Sequence, residues 1–250
     1  MKKIGLALGG GAILGAAHIG VLRALEERKI QIGCISGTSI GAFIAALYAF
    51  GVSPHEIEGK IAELNWLDAA GFSFSKYGLL SNKKLGDTLK KTLGDVDFED
   101  AEIPVAVVAT DIGACEKVVL KEGNVAEAVM ASSCIPGIFI PVEINDQLLV
   151  DGGLVENVPI SPLKKMGADM IVGVDINANR KYRKPEDLID VLANALDLAI
   201  DNATRIQTEE ADILIAPELS AYNRTDVKNV HDLVKEGYDT AGAILKETVL

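Results

Sequence analysis

Short apolar runs alternate with longer amphipathic segments along the first fifty residues. The runs at 3–8 and 31–36 have the length and composition of buried strands, and the segments at 15–28 and 40–50 have the spacing of helices. Further strands are predicted at 105–110, 116–120, 142–144, 147–150, 170–175 and 213–216. This alternation predicts an α/β fold with a mainly parallel central sheet and helices on both faces.

Residues 65–100 interrupt the alternation. Large apolar side chains occur there among Gly, Ser and Lys residues: Trp66, Leu67, Phe72, Phe74, Tyr77, Leu79 and Leu80. Two predictions are open for this segment. It forms either a mobile apolar cover over a binding cleft or a satellite helix pair with a small core of its own.

The second half of the chain closes the predicted fold. Asn145 and Asp146 have the composition of a tight turn between two short strands. The segments 188–211 and 226–250 are predicted to be amphipathic helices that close the domain. Since no internal repeat or linker divides the sequence, residues 1–250 are expected to form a single domain.

The amino-acid composition of the chain argues against two classes of binding partner. The chain has 250 residues, is 49% hydrophobic and carries a formal net charge of −12 with a pI near 4.7. Such an acidic balance argues against nucleic acid as a partner, because phosphate backbones are bound by clustered Lys and Arg. It argues equally against strong electrostatic docking on anionic lipid.

The N-terminus and the cysteines bear on location. The basic start and apolar run at residues 2–8 stop at three glycines, so they predict a first strand rather than a signal peptide. The sequence contains no uninterrupted apolar stretch of about 18 residues, so no transmembrane helix is predicted.

The three cysteines, Cys34, Cys115 and Cys134, are an odd number and are scattered along the chain in apolar surroundings. Reduced buried thiols and a cytoplasmic location are therefore expected.

A serine between two glycines is the first candidate for chemistry. Gly37, Ser39 and Gly41 form a G-x-S-x-G pattern between a predicted strand and a predicted helix. This is the pattern of a nucleophile elbow, in which a strained strand-to-helix turn exposes the serine hydroxyl and leaves no room for side chains at the flanking positions. The following helix N-terminus would favour negative charge near the hydroxyl.

A glycine-rich loop, residues 9–15, follows the first predicted strand. A dinucleotide-binding loop needs a glycine at the position of Leu14, and a P-loop needs Lys and Ser or Thr where Ala16 and Ala17 stand. The loop therefore predicts no nicotinamide, flavin or ATP cofactor. Its backbone N–H groups could instead hold the oxyanion of an acyl-transfer intermediate beside Ser39.

A nucleophilic serine needs a base, and two candidates are open. His231 would complete the order serine, acid, histidine, but its polar surroundings are typical of an exposed side chain. Asp151 follows an apolar strand directly and precedes Gly152 and Gly153. An aspartate whose pKa is raised by burial near Ser39 could take the serine proton without a histidine.

Several motifs taken together resemble the patatin-like phospholipase family, especially its compact bacterial members. The resemblance covers residues 3 to about 175. It rests on the glycine loop followed by residues 17–22, on 37–41, on 131–139 with Pro141, and on 150–155 with Asn157 and Pro159.

The resemblance implies a patatin-like three-layer sandwich and a hydrolase of phospholipids, lysophospholipids or other acyl esters, with no metal and no cofactor. It implies Ser39 as nucleophile, Asp151 as base, and the N–H groups around Gly10, Gly11 and Ala12 as the oxyanion hole. Transient contact with membrane lipid is a further expectation. The glycines that support the two catalytic motifs are Gly37, Gly41, Gly152 and Gly153.

The glycine loop departs from the family pattern at two positions. Leu14 stands where the family usually has Arg or Lys, and Ala12 stands where it usually has glycine. If Leu14 occupies a vacated functional position, Leu14→Arg should raise activity by adding positive charge near the oxyanion. If Leu14 packs into the core, the same change should destabilise the protein.

Two alternatives to the Ser39–Asp151 hydrolase remain open. One is a histidine-dependent esterase that uses Ser39, an acid and His231. The other is a weakly active or non-catalytic patatin-like protein that binds acyl chains, which the substitutions at Leu14 and Ala12 make plausible.

Overall fold

A computed structural model describes residues 2–63, 71–75, 78–224 and 226–247 of the chain. The strands in these ranges are β1 (Ile4–Leu8), β2 (Ile32–Gly37), β3 (Gly71–Ser75), β4 (Gly78–Ser81), β5 (Val105–Asp111), β6 (Glu116–Leu120), β7 (Val142–Ile144), β8 (Gln147–Asp151), β9 (Met170–Val174) and β10 (Ile213–Ile215).

Within the described residues, one large mixed sheet has the order β10-β9-β1-β2-β5-β8-β7, and β6 also pairs with β5. The strands from β10 to β5 run parallel, whereas β6 and β8 run antiparallel to β5, and β7 is antiparallel to β8. The sheet is therefore mainly parallel through its centre and antiparallel at one side.

Helices cover both faces of this sheet: α1 (Ala16–Glu27), α2 (Ile40–Ala49), α3 (Pro54–Glu63), α4 (Lys83–Leu93), α5 (Val125–Ser132), α6 (Gly153–Glu156), α7 (Ile160–Lys165), α8 (Leu188–Gln207) and α9 (Val230–Glu247). None of the helices in the described ranges is long and apolar enough to cross a membrane.

The core lies on both sides of the central strands. Along β1, Leu6 and Leu8 belong to the large core that α1, α2, α5 and α9 cover, whereas Ala7 belongs to a smaller core beneath α7. Since successive side chains of a strand point to opposite faces, this alternation shows that β1 is buried on both faces. The predicted three-layer α/β fold is confirmed.

The bounds predicted from the alternating pattern agree with those of most observed strands to within a residue or two. The turn between β7 and β8 also agrees with the sequence, because Asn145 and Asp146 both have positive φ, 52° and 61°. Positive φ at both central residues is the geometry of a tight hairpin turn, which Asn and Asp tolerate well. Helices α3, α5, α6 and α7 and strands β3 and β4 were not predicted.

In the described part of the segment 65–100, residues 71–75 and 78–100, a β-hairpin is followed by helix α4. β3 and β4 pair antiparallel, and α4 follows β4 directly. Leu80 of β4 accepts a hydrogen bond from Ile140 N at 2.8 Å and donates one to Ile138 O at 3.0 Å. The hairpin is thus joined to the loop before β7. Trp66, Leu67 and Tyr77, which suggested an apolar cover, lie outside the described residues.

Helices α8 and α9 behave differently, although both were predicted to close the domain. α9 packs against α1 so closely that a Cβ atom on Gly20 or Gly237 would overlap the partner helix backbone. α8 instead leaves an apolar stripe in solvent: Leu188, Val191, Leu192, Leu198 and Ile206 are 48–72% exposed. The prediction was wrong for the apolar face of α8, because its opposite face holds Asp197 and Asp201 against Arg180.

The cysteines also differ from expectation at one position. Cys34 and Cys134 are buried and free, as predicted, but Cys115 is free and exposed. Cys115 lies in the turn between β5 and β6 with φ 58°, a conformation found in turns that project into solvent.

Candidate active site

The groups that the sequence analysis singled out meet at one edge of the sheet. β1 and β2 run parallel, so the glycine loop after β1 and the turn after β2 leave the sheet together. Gly37, the last residue of β2, lies opposite Val107 of β5. Two residues farther along β5, Ala109 pairs with Asp151. Because β8 runs antiparallel to β5, its last residue, Asp151, reaches the level of Ser39.

Ser39 lies at the bend between β2 and α2 in a strained conformation. Its φ is 54° and its ψ is −123°, an arrangement that residues other than glycine rarely adopt. The turn is also tight. A Cβ atom on Gly41 would overlap the carbonyl oxygen of Leu8, and one on Gly37 would overlap that of Gly41. Glycine is thus required at both flanking positions by backbone packing.

Ser132, at the end of α5, anchors this strained turn. Its hydroxyl accepts a hydrogen bond from Ser39 N at 2.8 Å and donates one to Val108 O at 2.6 Å. The side chain is fully buried. The elbow is therefore tied to the neighbouring strand β5, which offsets part of the cost of the unusual backbone conformation.

Hydrogen bonds with neighbouring backbone groups hold both the backbone N–H and the side chain of Asp151. Its N–H donates to Cys134 O at 2.8 Å, and its Oδ1 accepts from Gly153 N at 2.8 Å. A Cβ atom on Gly152 would overlap Val108 O, so the chain after Asp151 passes directly over β5. These contacts fix the backbone at Asp151 and one of its two carboxylate oxygens.

The environment of Asp151 makes it a base near neutral pH. Burial raises its pKa from 3.8 to about 6, although hydrogen bonds from Gly153 N and the Ser39 hydroxyl and the charge of Arg224 act in the opposite direction. Ser39 and Asp151 line the same cleft, and the Ser39 hydroxyl is close enough to lower the pKa of the carboxyl. Above about pH 6 the carboxylate is ionised and can accept the proton of that hydroxyl.

Two side chains and one backbone carbonyl group fix the glycine loop. The His18 Nε2–H donates to Gly9 O at 2.8 Å, and Asn177 Nδ2 donates to Gly10 O at 2.6 Å. Gly10 N itself donates to Asn157 O at 3.2 Å. Gly10, one of the three candidate oxyanion donors, is thus already engaged within the fold.

The same contacts orient the next N–H group. In a trans peptide the C=O and N–H bonds point in opposite directions, so Asn177, by holding Gly10 O, turns the N–H of Gly11 away from itself. Within the described residues, the N–H groups of Gly11 and Ala12 have no hydrogen-bond acceptor. Ala12 also has a positive φ of 53°. The free donors of the loop are therefore Gly11 and Ala12.

The histidines do not supply a base to Ser39. His231 is 84% exposed, and its Nδ1 lies 3.3 Å from Glu58 Oε1 on the outside of the molecule. His55 is exposed on α3. His18 is fully buried beneath the glycine loop, where burial lowers its pKa to about 4 and keeps it neutral at pH 7.

A cleft of about 110 Å³ opens above Ser39 and Asp151. One wall is apolar and includes Ile135, Pro136, Phe139 and Leu154. The other is polar, and four of its buried polar atoms have no hydrogen-bond partner in the described part of the chain: Ser133 Oγ, Asn157 Nδ2, Asn177 Oδ1 and Arg224 Nε. Unpaired buried polar atoms are rare in folded proteins, so they indicate a polar ligand group or water at this wall.

His18, Ser132 and Asn177 act on the site geometry but received no role from the sequence. Ser132 lies within the quoted motif 131–139, where a serine at the end of an apolar helix was the available signal. His18 lies in the quoted motif 17–22 directly after the glycine loop, whereas Asn177 has no local pattern that points to the loop, because it reaches Gly10 across the tertiary structure.

The model of the patatin-like phospholipase family matches residues 6–164, more than half of the 250-residue chain. The chain belongs to the patatin-like phospholipase family. Both candidate catalytic residues and the whole glycine loop lie within the matched region.

Relatives of this patatin-like chain include proteins of bacteria and fungi. An uncharacterised NTE family protein of Mycobacterium tuberculosis is 34% identical over 179 residues, which cover 71% of this chain and 50% of the relative. The lysophospholipase NTE1 of Pyricularia oryzae is 32% identical over 185 residues, covering 71% of this chain and 12% of the relative. The chain thus spans half or less of the length of these relatives.

Solved structures support the fold. VipD from Legionella pneumophila matches with a TM-score of 0.67 at 16% identity over 98% of this chain and 67% of that chain. The type III effector ExoU matches with a TM-score of 0.55 at 14% identity over 99% of this chain and 53% of that chain. At such identities the likeness concerns the three-layer α/β fold.

Leu14, which replaces the basic residue of the family pattern, is a packing residue. It is 5% exposed and belongs to the main core. It also lines a small cavity together with Arg180 and Arg224. An arginine at this position would enter apolar surroundings and face two like charges. The structure therefore contradicts the expectation of a vacated functional position and supports the packing alternative.

For Leu14→Arg we expect destabilisation, on the order of 3 kcal/mol, because the new charge would be buried without a partner. Thermal or urea unfolding measures this loss, with Leu14→Met as the control that keeps side-chain volume and costs less than about 1.5 kcal/mol. A variant that gains activity without any loss of stability would show that position 14 is functional.

The raised pKa of Asp151 has a consequence for stability. Ionisation of the carboxyl is harder in the folded chain, with a pKa of about 6, than in the unfolded chain near 3.8, so stability is lost as pH rises through this interval. For Asp151→Asn we expect a gain in unfolding free energy on the order of 3 kcal/mol at pH 8 that disappears toward pH 4.

Urea unfolding of both proteins at a series of pH values measures this difference. Asparagine keeps the acceptor for Gly153 N, so the comparison isolates the charge. An equal stability difference at pH 4 and pH 8 would contradict a costly buried carboxylate.

Proposed function

We propose that this chain is a serine acyl hydrolase acting through a Ser39–Asp151 dyad, with residues 1–250 working as one patatin-like domain. The observation that supports the proposal is the strained turn at Ser39 in the same cleft as the Asp151 carboxyl, whose pKa is raised by burial, with an apolar wall beside them. A cytoplasmic location stays a prediction.

In the proposed reaction Ser39 Oγ attacks the carbonyl carbon of an acyl ester while its proton passes to the Asp151 carboxylate. The carbonyl oxygen becomes an oxyanion, which the N–H groups of Gly11 and Ala12 stabilise by hydrogen bonding. When the tetrahedral intermediate collapses, the alcohol leaves with the proton from Asp151. The product of this half-reaction is an acyl ester of Ser39.

Water completes the cycle. Asp151, again ionised, removes a proton from a water molecule that attacks the acyl carbon. A second oxyanion forms at the same N–H groups and collapses to release the fatty acid, and the proton returns to Ser39. One carboxyl group thus serves as base and then as acid in each half-reaction, as its pKa of about 6 permits near neutral pH.

The walls of the cleft support an acyl ester as substrate. Ile135, Pro136, Phe139 and Leu154 offer apolar surface to an acyl chain beside the nucleophile. The fungal relative is called a lysophospholipase, and the family is named for phospholipases. We therefore propose lysophospholipids and phospholipids as the substrate class, with soluble acyl esters as convenient assay substrates.

The alternative of a non-catalytic acyl-binding protein predicts an unactivated serine. A fluorophosphonate probe discriminates the two proposals, because it labels a serine that has an ionised base and an oxyanion hole. Labelling that is lost in Ser39→Ala supports the hydrolase, whereas an unlabelled wild-type protein supports the binding protein.

For the dyad we expect Ser39→Ala to abolish hydrolysis of a short p-nitrophenyl ester and Asp151→Asn to reduce it by a factor of at least about 10², the low end for general-base catalysis. The control is His231→Ala, which should change the rate little because His231 is exposed beside Glu58. A strong loss in His231→Ala with an active Asp151→Asn would support the histidine-dependent esterase instead.

The pH profile tests the same base independently. Since the ionised carboxylate is the active form, kcat/KM should rise with pH and reach a plateau above a pKa of about 6. A profile with its midpoint near 4 would mean that burial does not raise the pKa of the base.

The exposed stripe of α8 supports contact with a lipid surface. Leu188, Val191 and Leu192 project into solvent from the first turns of α8, while Leu196 and Ile200 of the same helix line the cleft. A helix with an apolar outer face beside the substrate site suits binding in the plane of a lipid interface. With a net charge of −12, we propose an uncharged or zwitterionic surface.

For the double variant Leu188→Ser, Leu192→Ser we expect weaker binding to phosphatidylcholine vesicles and slower hydrolysis of lysophospholipid carried in them, with an unchanged rate on a soluble ester. Vesicle sedimentation and the two assays measure this. The control is Leu214→Ser, which removes a leucine of 38% exposure from the edge strand β10. If wild type is a dimer and the double variant a monomer by light scattering, the stripe binds a second copy of the chain and the proposal is wrong.

A further inference from the structure

Arg224 lies in the cleft of Ser39 and Asp151 although it comes from the chain segment between β10 and α9. It lines the same cavity, and its charge lowers the pKa of the Asp151 carboxyl. Electrostatic influence of this kind requires proximity, because it falls with distance and is screened by solvent. A positive charge thus stands beside the proposed reacting groups, although the glycine loop carries none.

The position of Arg224 is set by an ion-pair cluster on α8. Arg224 Nη1 lies 2.7 Å from Asp197 Oδ2, and the other oxygen of Asp197 lies 2.7 Å from Arg180 Nη1. Arg180 Nε lies 3.3 Å from Asp201 Oδ2, which also accepts a 2.6 Å hydrogen bond from the Tyr182 hydroxyl. One face of α8 therefore holds both guanidinium groups at the cleft wall.

The cluster leaves hydrogen-bond donors unused. Arg224 Nε is buried and has no hydrogen-bond partner among the described residues, and Arg180, whose side chain is 10% exposed, also lines the cleft. Two arginines and two aspartates balance in charge, so the cluster is stable without a ligand. Its remaining N–H groups are nevertheless directed donors, which cost free energy when they are buried without an acceptor.

The chemistry of these donors selects the ligand class. A guanidinium group presents parallel N–H bonds in a rigid plane, which match the oxygens of a phosphate. The acyl-chain wall of Ile135, Pro136, Phe139 and Leu154 is part of the same cleft, with Ser39 between the two kinds of surface.

We infer that Arg224, held by Asp197 and accompanied by Arg180, forms a subsite for the phosphate of a lysophospholipid head group. This inference rests on the proposed acyl-hydrolase function and names the part of the substrate that the polar wall recognises. In this inference the negative charge of the head group is bound by an arginine outside the glycine loop. It also accounts for Leu14, since a cation at that position would stand beside Arg180 and Arg224.

A purely structural role for Arg224 makes a different prediction. Its carbonyl oxygen accepts a hydrogen bond from Ile13 N at 3.2 Å, so the residue also joins this segment to the glycine loop. If the Arg224 side chain serves only to hold this segment in place through its ion pair with Asp197, its removal would lower stability and affect all substrates alike. A phosphate subsite affects selectivity between substrates that differ only in the phosphate.

The test compares 1-hexanoylglycerol 3-phosphate with 1-hexanoylglycerol, both below their micelle concentrations, at pH 8 where Asp151 is ionised. For Arg224→Gln we expect the ratio of kcat/KM values, phosphate ester over neutral ester, to fall by about tenfold or more, mainly through a higher KM. Arg224→Lys should fall between wild type and Arg224→Gln, because it keeps the charge but loses the planar fork.

The matched control is Lys228→Gln, which removes one exposed positive charge from the same connecting segment. It should leave the ratio unchanged. An equal fall on both esters in Arg224→Gln, with a lower melting temperature, would assign Arg224 to the fold and overturn the subsite. An unchanged ratio would overturn it as well.

Binding measured without turnover separates this inference from the proposed function. Glycerol 3-phosphate should raise the melting temperature of wild type and of Ser39→Ala, but not that of Arg224→Gln. If no protein hydrolyses either ester while this shift persists, the hydrolase proposal fails and the subsite stands. If inorganic phosphate gives the same shift at the same concentration, the subsite recognises free phosphate, and its assignment to a lipid head group is wrong.

Discussion

The approach of α2 to the end of β1 is the constraint on which the site depends. Gly41 packs directly on the carbonyl group of Leu8, and Thr38 N donates to that same carbonyl at 3.1 Å. This contact sets the distance between the glycine loop, which leaves β1, and Ser39, which precedes α2. A larger residue at position 41 would separate the N–H groups of the loop from the proposed nucleophile. The geometry of the candidate site is here a consequence of how two secondary structure elements pack.

The candidate site also contains several groups whose backbone strain or burial costs free energy, and the surrounding fold offsets this cost. Ser39 has a strained backbone, Asp151 is a desolvated acid, and His18 is buried with one ring nitrogen, Nδ1, lacking a partner among the described residues. Each costs on the order of 1–3 kcal/mol. Around them lies a dense core in which β1 and β2 are covered on both faces. Such a core can hold side chains in positions that they would not adopt in isolation.

A structural feature could be predicted from the sequence when the residues that form it lie close together along the chain. The strands of the large sheet, the turn at Asn145 and Asp146, and the bend at Ser39 follow from neighbouring residues and agree with the structure, whereas β3 and β4 were not predicted. The proximity of Asp151 to Ser39 was predicted from its place after an apolar strand and from the motif resemblance. Its physical basis is the antiparallel register of β8, which no local pattern reveals.

Other features needed the tertiary structure. Asn177 and Arg224 reach the cleft from segments far along the chain, and Leu14 is identified as a core residue by what surrounds it. For the same reason α8 was correctly predicted as an amphipathic helix but was oriented wrongly. The hydrophobic pattern defines two faces, and the ion pairs of Arg180 with Asp197 and Asp201 decide which one turns inward.

The opposite pKa shifts of His18 and Asp151 have a consequence for proton exchange during unfolding. His18, with its pKa lowered from 6.5 to about 4, takes up a proton when the chain unfolds between these values, whereas Asp151, with its pKa raised from 3.8 to about 6, releases one. The contribution of His18 to the free energy of unfolding decreases as pH falls, and that of Asp151 decreases as pH rises. Near pH 5 the two contributions cancel, so these groups together bring almost no net proton uptake to the unfolding reaction. A site with two strongly shifted groups therefore adds little pH dependence to the stability of the fold that carries it.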